Sequence, residues 1–314
     1  MMLDVIDLIV ARFGPAIAGD ADAATVRAVA DEIYAQVHCR LASGAHARSA
    51  SGGGRIDPRD FLRMLVRANH GTGTWQSGWV VRALRDDRGV IAESAGVRFW
   101  IAADQFRAAR TPVQPGDRVQ VRVPSDYRQL VPGFYMATGD ADDADDSPIV
   151  RIYWNISARG ALPLMGHITQ ELNRARLPFR FKAPLHPRDF GRSDAAVLYL
   201  PNARFESAMP LLARITAAVR PLMGAETSLF SKRCEPGVAL AEDPGDGSSF
   251  GQHRAGLLAD ALRESAAEAV PLEARADAVR ARLRRSGYDP SALECNPGST
   301  AHYDWTPVED TPHA

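Results

Sequence analysis

The sequence predicts an α+β fold: N-terminal helices and a small antiparallel sheet, followed by a mixed or antiparallel sheet with helices packed on it. Three observations carry this expectation. Apolar residues recur at three- and four-residue steps over the first forty positions. Between Trp75 and Val123 the pattern changes to short alternating runs broken by turn residues. After residue 149, strand and helix patterns follow one another without the regular order of a βαβ series.

The elements follow in order. Val5, Leu8, Ile9 and Phe13, then Val26, Val29, Ile33 and Val37, mark two amphipathic helices. Ser43–Gly54, rich in Ser, Gly, Ala and His, reads as a loop. Asp57-Pro58 starts a short helix around Asp60 to Ala68, with Asp as cap and Pro in the first turn. Ser77 to Leu84, the turn Asp86-Asp-Arg-Gly89 and the run from Val90 form a hairpin. Val97 to Ala102 and Arg118 to Val123 add two strands, the second alternating strictly after Pro115-Gly116. The acidic run Gly139 to Asp146 reads as a solvated loop, lacking the Gly and Glu of a calcium-binding EF-hand. Beyond it the pattern predicts strand 149–157, helix 163–175, strands 178–183 and 194–200, helix 204–220 and strand 228–234. A Gly/Pro/Asp loop and helices 250–266 and 271–286 follow. The chain divides into a helical segment 1–70, a β region 71–146, an α+β core 147–286 and a tail 287–314, with no internal repeat.

Composition narrows the function. Basic and acidic residues balance at 37 against 38, and the arginines are scattered among acids, so no basic stripe for duplex nucleic acid is present. No run of 18 apolar residues could cross a membrane. The opening Met-Met-Leu-Asp-Val-Ile-Asp carries acids where a secretion signal carries positive charge, so a cytoplasmic location is expected. Cys39, Cys234 and Cys295, widely spaced, suggest neither a disulfide framework nor a zinc site. No cofactor or metal is expected.

Lysine is nearly absent: Lys182 and Lys232 are the only two, and the other 35 of the 37 basic residues are Arg. A buried lysine can become a neutral base, which arginine cannot. Codon bias is the plainer explanation, so local context has to decide. In Arg151-Ile-Tyr-Trp-Asn155, period two puts Arg151, Tyr153 and Asn155 on one face of a strand. In Phe179-Arg-Phe-Lys182, Arg180 and Lys182 share a face. The two strands suggest a charged cleft, or simply a solvated sheet face. Neighbouring positive charge and partial burial would lower the Lys182 pKa and suit it to act as a general base. Lys232 reads more easily as an anion contact. Ser248, Ser249 and Gly251 open a helix, with His253 and Arg254 following, which fits an anion site at a helix start or an ordinary capped helix. The same Gly247-Ser-Ser-Phe-Gly251 matches the hydrolase elbow G-x-S-x-G, but a loop rather than a strand precedes it.

Several motifs in order resemble the Hop-A-type effector family, named for type III secretion effectors of plant pathogens. They are Arg151-Ile-Tyr-Trp-Asn, Leu172-Asn173, Pro178-Phe-Arg-Phe-Lys182, Arg192-Ser-Asp-Ala-Ala-Val-Leu-Tyr199, Pro236 to Pro244 and Ser249-Phe-Gly-Gln-His-Arg254, within about residues 75 to 265. Members of that family also serve as lyases beside a kinase in class V lanthipeptide and thioamitide-type biosynthesis, and their fold is similar to the phosphothreonine lyases. The resemblance implies β-elimination of phosphate from phosphoserine or phosphothreonine in a precursor peptide, giving dehydroalanine or dehydrobutyrine. Lys182 would be the base; Arg151, Arg192, Arg254 and Lys232 would clamp the phosphate, with Arg180 and Ser249 also lining the site. The phosphothreonine lyases place a histidine acid where Tyr153 stands here, so the acid would be Tyr153, His253 or dispensable. A phosphorylated precursor and a Ser/Thr kinase are the implied partners, with no nucleic acid and no membrane. The alternatives are a non-catalytic phosphopeptide- or leader-binding partner of a kinase, and a translocated effector.

Overall fold

The computed structural model describes residues 4–40, 56–86, 88–94, 97–128, 130–141 and 147–308. The Ser43–Gly54 loop, most of the acidic run before residue 147, Asp87 of the hairpin turn and the last six residues lie outside the described residues.

Helix α1 (Val5–Phe13) starts at Asp4, whose carboxylate accepts from the Ile6 amide, and buries Ile6, Ile9, Val10 and Phe13. Helix α2 (Ala23–Ile33) is capped by Asp22, which accepts from Thr25 N at 2.8 Å. It runs on into a single π-helical turn, Tyr34–His38. Helix α3 (Pro58–Ala68) has Asp57 as its cap and Pro58 in its first turn, as expected, and buries Phe61 and Leu65.

A five-stranded antiparallel sheet follows: β1 (Thr74–Leu84), β2 (Val90–Ser94), β3 (Val97–Ile101), β4 (Phe106–Ala108) and β5 (Arg118–Val123), in spatial order β3-β2-β1-β5-β4. Alternation buries Trp79, Val81, Ala92, Val119 and Val121 in a small core of its own.

The larger sheet has seven strands in the order β11-β12-β8-β10-β9-β7-β6. These are β6 (Asp126–Tyr127), β7 (Phe134–Thr138), β8 (Ile149–Trp154), β9 (Arg180–Pro184), β10 (Ala196–Pro201), β11 (Lys232–Glu235) and β12 (Val238–Glu242). Every pairing is antiparallel. Helices α4 (Ala158–Arg174) and α5 (Phe205–Val219), with α3, pack on the face that carries Ile152, Trp154, Phe181 and Leu198. Trp154 is fully buried there and donates to Thr216 Oγ1 at 2.9 Å. The opposite face, carrying Tyr153, Val197 and Ala241, is covered by α1, α2, α6 (Phe250–Ala267) and α7 (Arg275–Arg285).

The structure departs from expectation at several places, among them the unexpected strands β4, β6 and β7, of which β6 and β7 join the larger sheet. Helix α4 begins at Ala158 rather than near residue 163, because Ser157 accepts from Gly160 N at 3.2 Å and caps the chain there. The strand expected over 228–234 is a turn followed by β11, and β12 occupies what reads as a loop, the two joined through Pro236-Gly237 with Gly237 at φ +76°. Strand β12, like β7, is buried on nearly all of its residues, so neither shows the alternation that marks a half-exposed strand. Finally, residues 287–308 are no loose tail. Leu293 and Tyr303 are buried, and the Glu242 carboxylate accepts from Asn296 N (2.6 Å), Tyr303 Oη (3.0 Å) and Ser299 Oγ. Trp305 Nε1 donates to Glu235 at 2.9 Å. This segment straps the edge of the larger sheet.

Candidate functional site: a cationic face on the larger sheet

Pairing across the central strands builds two rows of side chains on the face that α1, α2 and α6 partly cover. One row runs Thr138, Arg180, Tyr199, Arg151, Ala241; the next runs Met136, Lys182, Val197, Tyr153, Ala239. Tyr199 thus stands between two arginines and diagonal to Lys182. The guanidinium carbons of Arg151 and Arg180 lie 5.2 and 5.6 Å from its ring centre, and Lys182 Nζ lies 5.8 Å away. Lys182 Nζ is 4.5 Å from the Phe134 ring. Tyr199, Phe134 and Lys182 are half-buried and Arg180 is exposed, so this part of the face is open while the Tyr153 part is covered.

Two of the arginines already have carboxylate partners. Arg151, buried, binds Asp243 through Nε (2.7 Å) and Nη2 (2.6 Å) and donates to the Ser248 carbonyl at 2.8 Å. Its well-formed hydrogen bonds to described residues use Nε and Nη2, and the guanidinium also interacts with the Tyr153 hydroxyl. Arg192 grips Asp194 with both Nε (2.5 Å) and Nη2 (2.7 Å), and Nη2 also donates to Tyr34 Oη at 2.8 Å and to Cys39 Sγ at 3.0 Å. Asp194 Oδ2 lies 3.3 Å from His38 Nε2, and His38 Nδ1 is 2.7 Å from Ser228 Oγ. Burial by itself would raise the Asp194 pKa; His38 and Arg192 outweigh it and hold the carboxyl far below its ordinary range. Burial, reinforced by Asp194, pushes the Cys39 thiol up to about 12, so Cys39 is a hydrogen-bond partner here and not a thiolate nucleophile.

The π-helical turn explains how His38 and Tyr34 reach this network. It adds a residue to the helix before the chain leaves α2 and turns both rings toward the sheet. His38 is stacked with Tyr34 and Phe230, and meets Tyr153 edge-on at 5.7 Å between ring centres. The start of α6 presses on the same imidazole: a Cβ on Gly251 would collide with the His38 ring. Gly251→Ala is therefore expected to lower stability by about 1–3 kcal/mol through overpacking, read as a fall in the urea midpoint with an unchanged m-value.

The residues expected to form one site divide as follows. Arg151, Arg180 and Lys182 come together around Tyr199, and Arg192 belongs to the adjoining Asp194–His38 network. Tyr153 is fully interior, and its hydroxyl has no well-formed hydrogen bond among the described residues. Burial raises its pKa strongly, against the pull of Arg151, so the phenol keeps its proton. Lys232 does not join the site: it pairs with Leu240, which pairs with Ile152, so it lies on the other face, where Nζ donates to the Tyr303 carbonyl at 2.7 Å. Arg254 does not join the cationic face either. It is fully buried and spends its donors on the carbonyls of Leu293 (2.7 Å) and Cys295 (3.0 Å) and on Asn296 Oδ1 (2.9 Å). Ser249 precedes α6 without a side-chain capping bond. His253 contacts Arg254 (2.9 Å), Asp246 (4.0 Å) and the Tyr288 ring, none of them on the cationic face. Burial and the Arg254 charge lower its pKa.

Acidification should therefore destabilise the fold through His253. The unfolded chain takes up the proton near the ordinary value of 6.5, while the folded chain resists it to lower pH. Urea midpoints should fall as pH drops below about 6.5, and His253→Gln should flatten that part of the profile.

Sequence reasoning missed Tyr199, Asp243 and His38 as parts of this region. Asp194 stood within the Arg192-Ser-Asp motif and was the one legible signal, since a carboxylate two residues from an arginine can fold back on it. Among the described residues no group of three or more His, Cys, Asp or Glu side chains is placed to hold a metal ion. No helix among them is long and apolar enough to cross a membrane.

The fold and this face define an α+β protein whose central antiparallel sheet carries a cluster of cations beside a buried Asp–His–Arg network. The model of the HopA1 effector protein family matches residues 125–294, more than half of the 314 residues, and the chain belongs to that family. The matched stretch holds β6–β12 and the helices among them; α1–α3 and the five-stranded sheet precede it. Among solved structures, the chain is similar to the effector protein from Pseudomonas syringae pv. tomato strain DC3000. The TM-score is 0.53 and the identity 18%, over 92% of this chain and 95% of that one, a likeness of fold. The effector protein from Pseudomonas syringae pv. syringae strain 61 aligns with a TM-score of 0.49 and 16% identity, over 86% of this chain and 95% of its own. No curated protein matches the chain significantly.

Proposed function

We propose that the chain is a phosphoserine/phosphothreonine lyase, which eliminates phosphate from a phosphorylated precursor peptide in ribosomal peptide natural product biosynthesis. A Ser/Thr kinase would be its partner and would supply the phosphorylated residue. The observation that carries this reading is the placement of Lys182 beside Arg180 and Arg151 around Tyr199, on an open part of a rigid sheet.

In this reading the Lys182 amine takes the Cα proton. The released electron pair forms the Cα–Cβ double bond, and the Cβ–O bond breaks with its pair leaving on the phosphate. Arg180, with the Arg151 charge behind it, meets the negative charge that grows on that group. Neutralising the leaving phosphate in this way reduces the need for a general acid, which suits a Tyr153 hydroxyl enclosed in the core. The reading draws no step from a metal or a cofactor.

A second reading is a non-catalytic phosphopeptide- or leader-binding partner of a kinase: Arg151 and Arg192 already hold Asp243 and Asp194, which leaves less positive charge to draw off a departing phosphate. A third reading is a translocated effector, which the family's description as effector proteins supports. The test is incubation of the full chain with a phosphothreonine peptide, following inorganic phosphate and the mass of the peptide. The lyase reading expects free phosphate in step with a dehydrated peptide. Binding without release of phosphate would replace it with the binding-module reading.

A further inference from the structure

The solvent face of the five-stranded sheet carries a second cationic surface, separate from the one above. Period two along β5 points Arg118, Gln120 and Arg122 outward, and the register aligns Arg122 with Trp75 of β1 and Gln120 with Arg107 of β4. The Arg107 guanidinium lies over the Trp75 indole at 3.9 Å, and the Arg122 guanidinium lies 5.8 Å from the same ring. Arg107, Arg118 and Arg122 are exposed. Arg122 Nη2 donates to the Thr72 carbonyl at 3.0 Å, and among the described residues none of the three has a carboxylate partner. Among the described residues of the five strands, Glu93 is the acid on this face and is occupied by Arg82 (3.1 Å) and Arg98 (2.5 Å), while the nearby Asp140 is held by Thr72 and Gly73. The surface therefore offers a net excess of guanidinium groups, while the chain as a whole carries a formal charge of −1.

The geometry points to a docking surface for an extended acidic peptide segment, with Asp or Glu side chains at four-residue spacing. Charge complementarity sets the sign of the occupant. Spacing sets its form: Arg118 and Arg122 are four residues apart on one strand, about 13 Å, and an extended peptide repeats its side chains at the same interval. The stacked Arg107 separates a peptide from a single-stranded nucleic acid. A base-binding platform presents an open aromatic face, whereas here the Arg107 guanidinium covers Trp75 at 3.9 Å, and a guanidinium can hold a carboxylate with two hydrogen bonds. This surface does not depend on the lyase reading, because no residue is shared.

The test is fluorescence anisotropy with the full chain and a labelled peptide carrying Asp at every fourth position in a Gly/Ser background. Saturable binding that weakens as salt rises is expected. Arg107→Glu with Arg122→Glu should weaken it at least about tenfold, and the milder Arg118→Ala should weaken it measurably while leaving the urea midpoint unchanged. Arg180→Ala should leave it intact. Three results would overturn the inference: no saturable binding, binding insensitive to Arg107, Arg118 and Arg122 but lost in Arg180→Ala, or tighter binding of an oligothymidylate of equal length.

Discussion

Lys182→Ala is expected to lower the rate of phosphate release from a phosphothreonine peptide by about 10²–10⁴-fold, the contribution of a positioned general base. Lys182→Arg should be nearly as inactive, since arginine keeps the positive charge but does not give up its proton in a protein. Lys182 is half-buried beside Phe134 and Tyr199 and makes no ion pair with a described residue, so neither change should move the urea midpoint far. Arg180→Ala tests the other half of the chemistry and should raise KM more than it lowers kcat if Arg180 mainly binds phosphate before reaction. Full activity in Lys182→Ala would remove the lysine from the mechanism. Peptide binding retained in Lys182→Arg, with no release of phosphate by the native chain either, would favour the binding-module reading.

The largest stability effect is expected at Asp194. Asp194→Ala removes the carboxylate that both Arg192 and His38 face, and leaves a largely buried guanidinium without its counter-charge. Breaking a buried pair from one side costs about 3–5 kcal/mol. The sign with pH follows from the depressed carboxyl: the folded state keeps Asp194 ionised, and the unfolded chain protonates it near the ordinary value of 3.8. Its contribution is complete above that value and is lost as pH falls below it. Urea midpoints should drop steeply in native protein below about pH 4, and that segment should be shallower in Asp194→Ala, which has already lost the contribution. Because Tyr34 and His38 are tied to Arg192 and Asp194, hydrogen exchange in α2 and its π-turn should accelerate in the same variant. An unchanged midpoint would show that the network contributes no net stability.

These two residues also mark how far sequence reading reached. Lys182 and Arg180 were legible because a half-exposed strand alternates, and Phe179-Arg-Phe-Lys shows that alternation without any knowledge of its neighbours. Helix starts at Asp57-Pro58 and near Ser249 were legible for the same local reason. The buried strand Val238–Glu242 was not, since a strand enclosed on both sides has no polar face to set its period. His38 was hidden as well: its sequence surroundings are those of an apolar helix face, and only the π-turn and the packing of α6 bring it to Asp194.

The alternation of single strands, the helix caps and the scarcity of lysine were properties of the sequence by itself, each set within a few residues. Tertiary structure decided which of those faces met. Register between strands distant in the chain placed Arg151, Arg180 and Lys182 around Tyr199, and the hairpin of β11 and β12 put Lys232 on the opposite face. The strap after Arg285 took up the donors of Arg254. Strand pairing and buried hydrogen bonding are non-local: one residue of register moves a side chain to the other side of the sheet. The same local pattern therefore served a candidate site in one strand and the frame of the fold in another.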